Sequence, residues 1–377
     1  MTAIKTDRHL HAKRYSFSSL AMLSLFLAAL ICLCTFTPFS VSVSFLTQHQ
    51  FNNPPVTTVR DYLGEALERA ASATSKTVII TMINKAYVEA VNEHNPSMLD
   101  LFLEGFWEGE ETRPLVNRLL VVAMDRTAYQ RCVFRRLHCY RLRTNGVDYA
   151  SEKLYLSKGF VSMMWRRTLF LTDVLRRGYN FIFTDTDVMW LRNPFRRLSP
   201  NVTEDLQIST DEFNGDPWSA LNPINTGFYY VRSNNRTIAL FEAWYGSRKI
   251  YPSRMKEQDV LVKMKRQGTL EELGLVVRCL DVLYFSGFCS DSRDVTAVAT
   301  VHANCCKTIR AKVADLRNVL RDWRSYRSAS ASAYSSREEI VENFEWSEHV
   351  SCKNSWRVLN STAAVQGPPA ETSFHDY

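Results

Sequence analysis

The chain has no Cys-x-x-Cys pair, although 9 cysteines occur among its 377 residues. Structural zinc sites commonly use cysteines at that spacing, so its absence disfavours such a site. The chain also lacks a concentrated basic patch. Part of its formal net charge of +7 falls within residues 1–14, and the rest is diffuse. This distribution excludes a nucleic-acid-binding protein. No internal repeat is present, and 46% hydrophobic residues are typical of a globular protein with a core.

Charged residues are also missing between Phe17 and Phe36. Twenty helical residues span roughly 30 Å, which is the thickness of the hydrocarbon part of a bilayer. Because basic residues precede this stretch, it predicts a cytosolic tail at 1–14, a transmembrane signal-anchor at 15–36 and a lumenal remainder. A cleaved signal peptide is the alternative interpretation.

A lumenal location gives meaning to the cysteines and to three Asn-x-Thr triplets. Seven cysteines lie outside the apolar stretch, and in an oxidising compartment they predict up to three disulfides with one cysteine left over. The sequence does not specify their pairing. The triplets beginning at Asn201, Asn235 and Asn360 match the N-glycosylation pattern.

Three apolar runs predict buried parallel strands, at Thr77–Ile83, Leu119–Met124 and Phe181–Phe183. A helical apolar stripe over 158–177 ends before Gly178. Alternating strands and helices predict an α/β fold with a mainly parallel central sheet. Ligands bind such sheets beyond the carboxyl ends of the strands.

The flanking regions predict the domain boundaries. Residues 37–75 are interpreted as a stem that contains a short helix over 61–73, and residues 76–327 as the main domain. Apolar residues from Ile309 to Trp323 recur at helical spacing and predict an amphipathic helix that closes this domain. The Ser/Ala-rich residues that follow predict a C-terminal tail over 328–377.

The triplet Asp185-Thr186-Asp187 follows the third apolar run and is the only Asp-x-Asp in the chain. A strand places alternate side chains on one side, so we expect both carboxylates to converge on one cation. Carboxylate oxygens suit Mg²⁺ or Mn²⁺. A pair of solvated or capping acidic turn residues is the alternative.

Several motifs together resemble the plant nucleotide-diphospho-sugar transferase family, which contains rhamnogalacturonan II xylosyltransferases and extensin arabinosyltransferases. The resemblance covers roughly residues 76–325, and its motifs are the segments 178–195, 225–232, 257–259 and 302–306. It implies a GT-A fold, a UDP-sugar donor, Mn²⁺ (or Mg²⁺) and retention of the anomeric configuration.

The resemblance also favours His302 as a third metal ligand beside Asp185 and Asp187, although a lone histidine is more often structural. Other motif residues have proposed roles with alternatives. Asn225, Thr226 and Gly227 form a polar corner before the strand Phe228–Val231 that would bind sugar hydroxyls, and the alternative is an ordinary turn.

Two further groups of candidates flank these residues. Asp259 would contact the donor sugar or acceptor or stabilise a cationic transition state, with Gln258 as a weaker candidate for the reacting face. The alternative for Asp259 is a helix-capping carboxylate. Thr81, Ile83 and Asn84 lie at the end of the first strand, where they would seat the uracil ring and ribose.

The sequence therefore predicts a type II Golgi membrane glycosyltransferase with a lumenal catalytic domain. We expect it to transfer a sugar, such as the pentoses xylose or arabinose, from a UDP-sugar to a cell-wall polysaccharide or glycoprotein. The second hypothesis is a catalytically inactive protein of the same fold that acts as a partner or scaffold of other glycosyltransferases.

Overall fold

The computed structural model describes residues 60–90, 96–252, 255–330, 339, 342 and 344–365, with side chains to residue 357. The expected cytosolic tail, signal-anchor and start of the stem lie outside these residues. None of the helices within the described ranges combines the length and hydropathy that a membrane span requires. The helices are α1 Tyr62–Ala70, α2 Lys85–Val88, α3 Met98–Glu108, α4 Arg126–Phe134, α5 Lys158–Arg176, α6 Asn235–Ser247, α7 Glu257–Arg266, α8 Thr269–Glu272, α9 Ile309–Ser330 and α10 Val350–Val365.

The strands form one large sheet and one small sheet. In chain order they are β1 Thr77–Ile83, β2 Leu119–Ala123, β3 His138–Arg141, β4 Asn180–Thr184, β5 Val188–Trp190, β6 Leu206–Thr210, β7 Ile224–Val231, β8 Val277–Cys279, β9 Phe285–Gly287 and β10 Thr300–His302. The large sheet has the order β3-β2-β1-β4-β7-β6-β8, and the small sheet has the order β5-β10-β9.

Only β7 runs against its neighbours in the large sheet within the described residues. The expected α/β class with a mainly parallel central sheet is therefore confirmed. The three apolar runs form β1, β2 and β4, and α5 ends at Arg176 before Gly178, whose φ of 76° closes the helix in the left-handed conformation.

Both faces of the large sheet are buried at its central strands β1, β2 and β4, because these strands are largely apolar. Val78 and Ile80 of β1 point to a core that includes α1, α5 and α6, whereas Ile79 and Ile83 point to a core that includes α3 and α4. The sheet is thus the middle of three layers. Its strand ends are the rigid edge on which the candidate site is built.

Helix α9 covers the small sheet. Val313, Leu316, Leu320 and Trp323 pack in a third core with Met189 of β5 and Val301 of β10. The expected amphipathic helix over this region is confirmed.

Two expected boundaries differ from the structure. Leu63, Leu67 and Ala70 of α1 are buried against the large sheet, so residues 60–75 belong to the folded domain rather than to a stem. After α9, Cys352 is buried and disulfide-bonded to Cys306, so at least 344–357 is part of the domain rather than a loose tail. The sequence did not predict that these two segments pack against the domain, because their composition is polar and the packing involves residues far apart in the chain.

Disulfides join Cys132 to Cys139, Cys289 to Cys305 and Cys306 to Cys352. Cys279 is free and buried. The expected number of three pairs with one cysteine left over is therefore confirmed, and two of the pairs lie on the chain segment that carries His302.

Candidate functional site

The Asp185-Thr186-Asp187 triplet lies in a turn between β4 and β5, not on a strand. The turn is closed by the Val188 N–H, which donates to the Asp185 carbonyl at 3.2 Å. The Asp185 N–H donates to the Gly227 carbonyl on β7 at 2.7 Å. The carboxylates therefore converge because a turn reverses the chain, which corrects the expectation that strand alternation aligns them.

His302 reaches the triplet through the small sheet. Strand β10 pairs antiparallel with β5 and places His302 opposite Val188, the residue after Asp187. The His302 Nε2 lies 3.4 Å from Asp187 Oδ1. Asp185, Asp187 and His302 each offer one ligand atom, and these three atoms lie within 4.8 Å of one another.

Lys312 completes this cluster from α9. Its ammonium lies 2.5 Å from Asp187 Oδ2, and its side chain is 20% exposed. The sequence interpretation missed Lys312 because it lies in a helix taken only to close the domain. A signal was present: Ile309, Lys312 and Val313 have the spacing of one helix face, which puts the lysine beside the buried stripe.

The other carboxylate of the triplet is held by Arg167 of α5. The guanidinium donates to Asp185 Oδ1 at 2.9 Å and to Glu257 Oε1 at 2.5 Å. It also donates to Thr226 Oγ1 at 3.2 Å and lies over the ring of Phe183. Because Arg167 is 4% exposed and paired with two carboxylates, it is a buried support for Asp185.

The two carboxylates of the triplet differ in acidity. Burial raises the pKa of Asp185, and the charge of Arg167 only partly offsets it. Burial also opposes ionisation of Asp187, but the charges of Lys312 and His302 prevail and hold the pKa of Asp187 below its ordinary value. Asp187 is thus the more firmly ionised of the pair.

Asn225, Thr226 and Gly227 lie within β7, not in a corner before it. The antiparallel pairing of β7 with β4 brings the start of β7 to the carboxyl end of β4, beside Asp185. A Cβ at Gly227 would overlap the His302 imidazole, with Nε2 only 2.9 Å away. Gly227 therefore makes room for the candidate metal ligand, a role that the sequence interpretation did not give it, and it also lines the cavity in which a sugar is expected.

The remaining predicted polar residues separate into two groups. The Asn225 amide donates to Asp211 at 2.8 Å, and Gln258 accepts from the Thr226 N–H at 3.2 Å. Asn225 and Gln258 both line a cavity with Thr226. Asp259 does not line this cavity, because the first turn of α7 directs Glu257 and Gln258 towards the cluster instead, so its expected contact with substrate is not supported by the geometry.

Two adjoining cavities meet at Asp185, Arg167 and Lys312. The first, here the methionine cavity, contains Ile83 and Asn84 among its lining residues together with Met82, Tyr87, Met124, Phe160, Met163, Met164, Phe183, Thr186 and Asp187. Thr81 lies on β1 two positions before Ile83, is fully buried and does not line the methionine cavity. The structure therefore brings two of the three predicted β1 residues to the cavity.

The second, here the polar cavity, lies on the other side of the triplet. Besides Asn225, Thr226, Gly227 and Gln258, it contains His302 and four residues that the sequence interpretation missed: Tyr155, Lys256, Lys307 and Trp356. Trp356 comes from α10, in the region expected to be a tail. The Cys306–Cys352 disulfide holds the start of α10 against the domain and so brings Trp356 to the cavity.

The residues of the triplet fit a divalent cation. Two carboxylates and an imidazole are ligands that Mn²⁺ and Mg²⁺ accept. The Lys312 ammonium beside Asp187 shows that the geometry stabilises positive charge there. Gly227 leaves the space that the His302 ring requires.

A model of the nucleotide-diphospho-sugar transferase family matches residues 114–316. An uncharacterised Arabidopsis thaliana protein is 54% identical over 78% of this chain and 84% of its own length. A Dictyostelium discoideum UDP-galactose:fucoside alpha-3-galactosyltransferase is 28% identical over 33% of this chain and 23% of its own length. A UDP-D-xylose:L-fucose alpha-1,3-D-xylosyltransferase of Arabidopsis thaliana is 24% identical over 54% of this chain and 50% of its own length.

Proposed function

The chain belongs to the nucleotide-diphospho-sugar transferase family, and on that premise we propose that it transfers a sugar from a UDP-sugar to a glycan acceptor. The observation that carries the proposal is the meeting of Asp185, Asp187 and His302 between two cavities. One cavity would take the nucleoside and the other the sugar. The cluster between them would then face the diphosphate, as in the GT-A architecture that the resemblance implies.

Asp185, Asp187 and His302 would hold Mn²⁺ or Mg²⁺. Bound there, the ion would neutralise the diphosphate as the bond to the sugar breaks. Arg167 holds Asp185 in place through a buried hydrogen bond, and Lys312 offers a second positive charge on the opposite side. Lys312 would therefore favour a diphosphate at the junction of the cavities, while Arg167 keeps Asp185 in the position that the ion requires.

The methionine cavity fits a nucleoside. Its wall is largely apolar, but the Asn84 Oδ1 is buried and has no hydrogen-bond partner among the described residues. A buried acceptor without a partner costs free energy of the order of 1–3 kcal/mol. The imide N–H of uracil is a donor of the right chemistry to satisfy it, beside Ile83.

The transfer would break the bond between the anomeric carbon of the donor and the phosphate oxygen. An acceptor hydroxyl oxygen forms the new bond to that carbon, and its proton passes to the leaving diphosphate. Because the leaving diphosphate takes the proton, this reaction needs no further carboxylate to act as a base. Attack from the face that the diphosphate leaves would retain the anomeric configuration. Asn225 and Gln258, which line the polar cavity, would bind sugar hydroxyls there.

The donor, acceptor and location are further parts of the proposal. Relatives named for UDP-galactose and UDP-xylose support a UDP-sugar, and we propose a pentose, xylose or arabinose. The acceptor would be a cell-wall polysaccharide or glycoprotein. The uncharged stretch Phe17–Phe36, the disulfides and the Asn-x-Thr triplets support a Golgi membrane protein with a lumenal catalytic domain.

The test is a donor screen on the full-length protein purified in detergent. UDP-xylose, UDP-arabinofuranose, UDP-galactose and UDP-glucose would be incubated with Mn²⁺, and UDP release measured. We expect one pentose donor to be consumed fastest and the double variant Asp185→Ala, Asp187→Ala to be inactive. Asp173→Asn, on α5 but outside both cavities, is the matched control and should retain activity.

Intact UDP release by the double variant would contradict the metal assignment. A folded protein that binds no UDP-sugar with Mn²⁺ in calorimetry would favour the non-catalytic scaffold instead.

A further inference from the structure

The polar cavity ends in a patch made of two aromatic rings and two lysines, Tyr155, Lys256, Lys307 and Trp356, here the aromatic-lysine patch. None of these residues lines the methionine cavity. The patch therefore lies outside the cavity proposed for the nucleoside and within the cavity proposed for the sugar, where an acceptor would approach the donor.

Lys307 is the centre of the patch. Its ammonium lies 3.3 Å from the centre of the Tyr155 ring and 3.6 Å from the centre of the Trp356 ring. Its backbone N–H donates to Ser355 at 3.0 Å, which fixes the lysine against α10. The charge is thus held in a defined position and is not carried on a freely moving side chain.

Carboxylates do not neutralise this patch. Within the described ranges, neither Lys307 nor Lys256 lies within ion-pair distance of an Asp or Glu, whereas Lys312 is paired with Asp187. The Lys256 ammonium lies 5.3 Å from the centre of the same Tyr155 ring. The nearby Glu152 accepts a hydrogen bond from the N–H of Ile309, and Asp259 feels the charge of Lys256 without lining the cavity. Two cations therefore share one side of the cavity.

The rings add a surface suited to sugars. Trp356 is 43% exposed, and its indole N–H donates to the Cys305 carbonyl at 2.6 Å, which fixes the orientation of the ring. A flat aromatic face offers apolar contact area to the C–H face of a pyranose. A site that combines such faces with unpaired lysines recognises a sugar that also carries negative charge.

We propose that the aromatic-lysine patch is an acceptor subsite that selects a glycan carrying uronic acid, with the carboxylate bound by Lys307 and Lys256. This inference rests on the proposed function for its meaning as an acceptor site. Binding of the carboxylate does not require turnover, so the proposed subsite and the proposed function can be contradicted by different results.

The experiment measures binding of two probes to the full-length protein in detergent by calorimetry. The probes are a hexamer of galacturonic acid and the same hexamer with every carboxylate methyl-esterified, which removes the charge and keeps the rings. We expect the acid to bind about tenfold tighter than the ester, a difference of about 1.4 kcal/mol that one close ion pair near a protein surface can supply. Lys307→Met should remove this preference, and Lys307→Arg should keep it.

The control variants separate charge, ring and donor effects. Lys249→Met removes one exposed lysine outside the cavities and should leave the preference unchanged. Trp356→Ala should weaken binding of both probes by a similar factor. Binding of UDP with Mn²⁺ should stay within about twofold in all of these variants. Lys256→Met is the second test of the charge should Lys307→Met fail to fold.

Three results would overturn the proposal. The first is equal binding of the acid and the ester. The second is weaker UDP binding by Lys307→Met, which would assign the lysine to the donor diphosphate. A loss of stability in Lys307→Met with an unchanged ratio of the two affinities would make the patch a structural clasp. A protein that prefers the acid hexamer but binds no UDP would support this subsite and contradict the proposed function.

Discussion

The cavities have two walls of different construction. One wall consists of strand ends of the large sheet and carries Asn84, Asp185 and Asn225. The other wall comes from the segment between His302 and Trp356, which the Cys289–Cys305 disulfide joins to the preceding chain and the Cys306–Cys352 disulfide closes on itself. On the sheet wall the cation Arg167 is buried and paired twice, whereas on the C-terminal wall Lys307 has aromatic partners but no carboxylate among the described residues.

This difference matches two tasks. A buried, fully paired cation has no capacity left for a ligand, so it fixes geometry. A half-buried cation without a carboxylate partner is available for a ligand, so it selects one. The sheet wall therefore suits the invariant nucleotide part of a donor, and the C-terminal wall suits a variable acceptor.

The largest expected effect tests the support role of the sheet wall. Arg167→Met would leave Glu257, which is 2% exposed, as a buried charge without its partner. We expect the free energy of unfolding to fall by about 3–5 kcal/mol. Urea unfolding of the purified protein measures this. Adding Glu257→Gln should recover part of the loss.

Arg176→Met is the matched control on the same helix. Its salt bridge to Glu242 joins half-exposed side chains, so we expect a loss below about 1 kcal/mol. Equal losses in the two single variants would show that Arg167 is not a special support.

The next largest effect is expected from removing a disulfide of the C-terminal wall. Replacing Cys306 and Cys352 by serine opens a loop with a sequence separation of 46, for which chain entropy gives a loss of about 4 kcal/mol. The preference for the acid hexamer should fall because Lys307, whose backbone N–H donates to Ser355 of α10, is no longer held in place, while binding of UDP with Mn²⁺ persists.

The disulfide between Cys132 and Cys139 provides the comparison. It closes a separation of only 7 and lies at the far edge of the large sheet, so its removal should cost about 2 kcal/mol and leave probe binding unchanged. Loss of the acid preference in this variant would mean that general destabilisation, not the wall, causes the effect.

The third prediction concerns the metal cluster, where the two walls meet. His302→Ala removes one candidate ligand, and we expect the affinity for Mn²⁺ to fall about 10- to 100-fold. Lys312→Met should act in the opposite direction, because the ammonium no longer competes with the ion for Asp187. Mn²⁺ titration followed by electron paramagnetic resonance, without nucleotide, measures both. A weaker affinity in Lys312→Met would contradict the competition.

The smallest expected effect is a dependence on pH of the preference for the acid hexamer over its ester. Burial, together with the charges of Lys256 and Lys312, lowers the pKa of Lys307 to about 8. Lys307 is charged below that pH, so the preference for the acid hexamer over its ester should be present at pH 7 and decline as the pH rises through about 8. Lys256→Met removes a neighbouring positive charge and should move the midpoint upwards. A ratio that stays constant between pH 6.5 and 9 would contradict this.

Much of the sheet wall was predictable from the sequence. The apolar runs of β1, β2 and β4 identify buried strands, and a parallel sheet places their carboxyl ends at one edge, which located Asn84 and Asp185. Arg167 was visible as a charged residue within an apolar helical stripe. Its partner Glu257 was not, because the two lie 90 positions apart.

The sequence was wrong where pairing between distant strands decides the outcome. Asn225–Gly227 is a strand and not a corner because β7 pairs with β4, and the triplet is a turn because β5 pairs with β10. Asp259 was expected at the site on the strength of its motif, but the direction of α7 places its neighbours there instead.

By itself, the sequence determined the fold class, the candidate ligands Asp185, Asp187 and His302, and the number of disulfides. The fold class, the two aspartates and the number of disulfides depend on local pattern or on the identity of a side chain, whereas His302 was assigned through the family resemblance. Tertiary structure alone decided that Lys312 faces Asp187 and that Lys307 and Trp356 close the polar cavity. These contacts depend on how α9 and α10 pack against the sheets. Helical periodicity puts Lys312 beside the buried stripe, but it does not identify Asp187 as its partner.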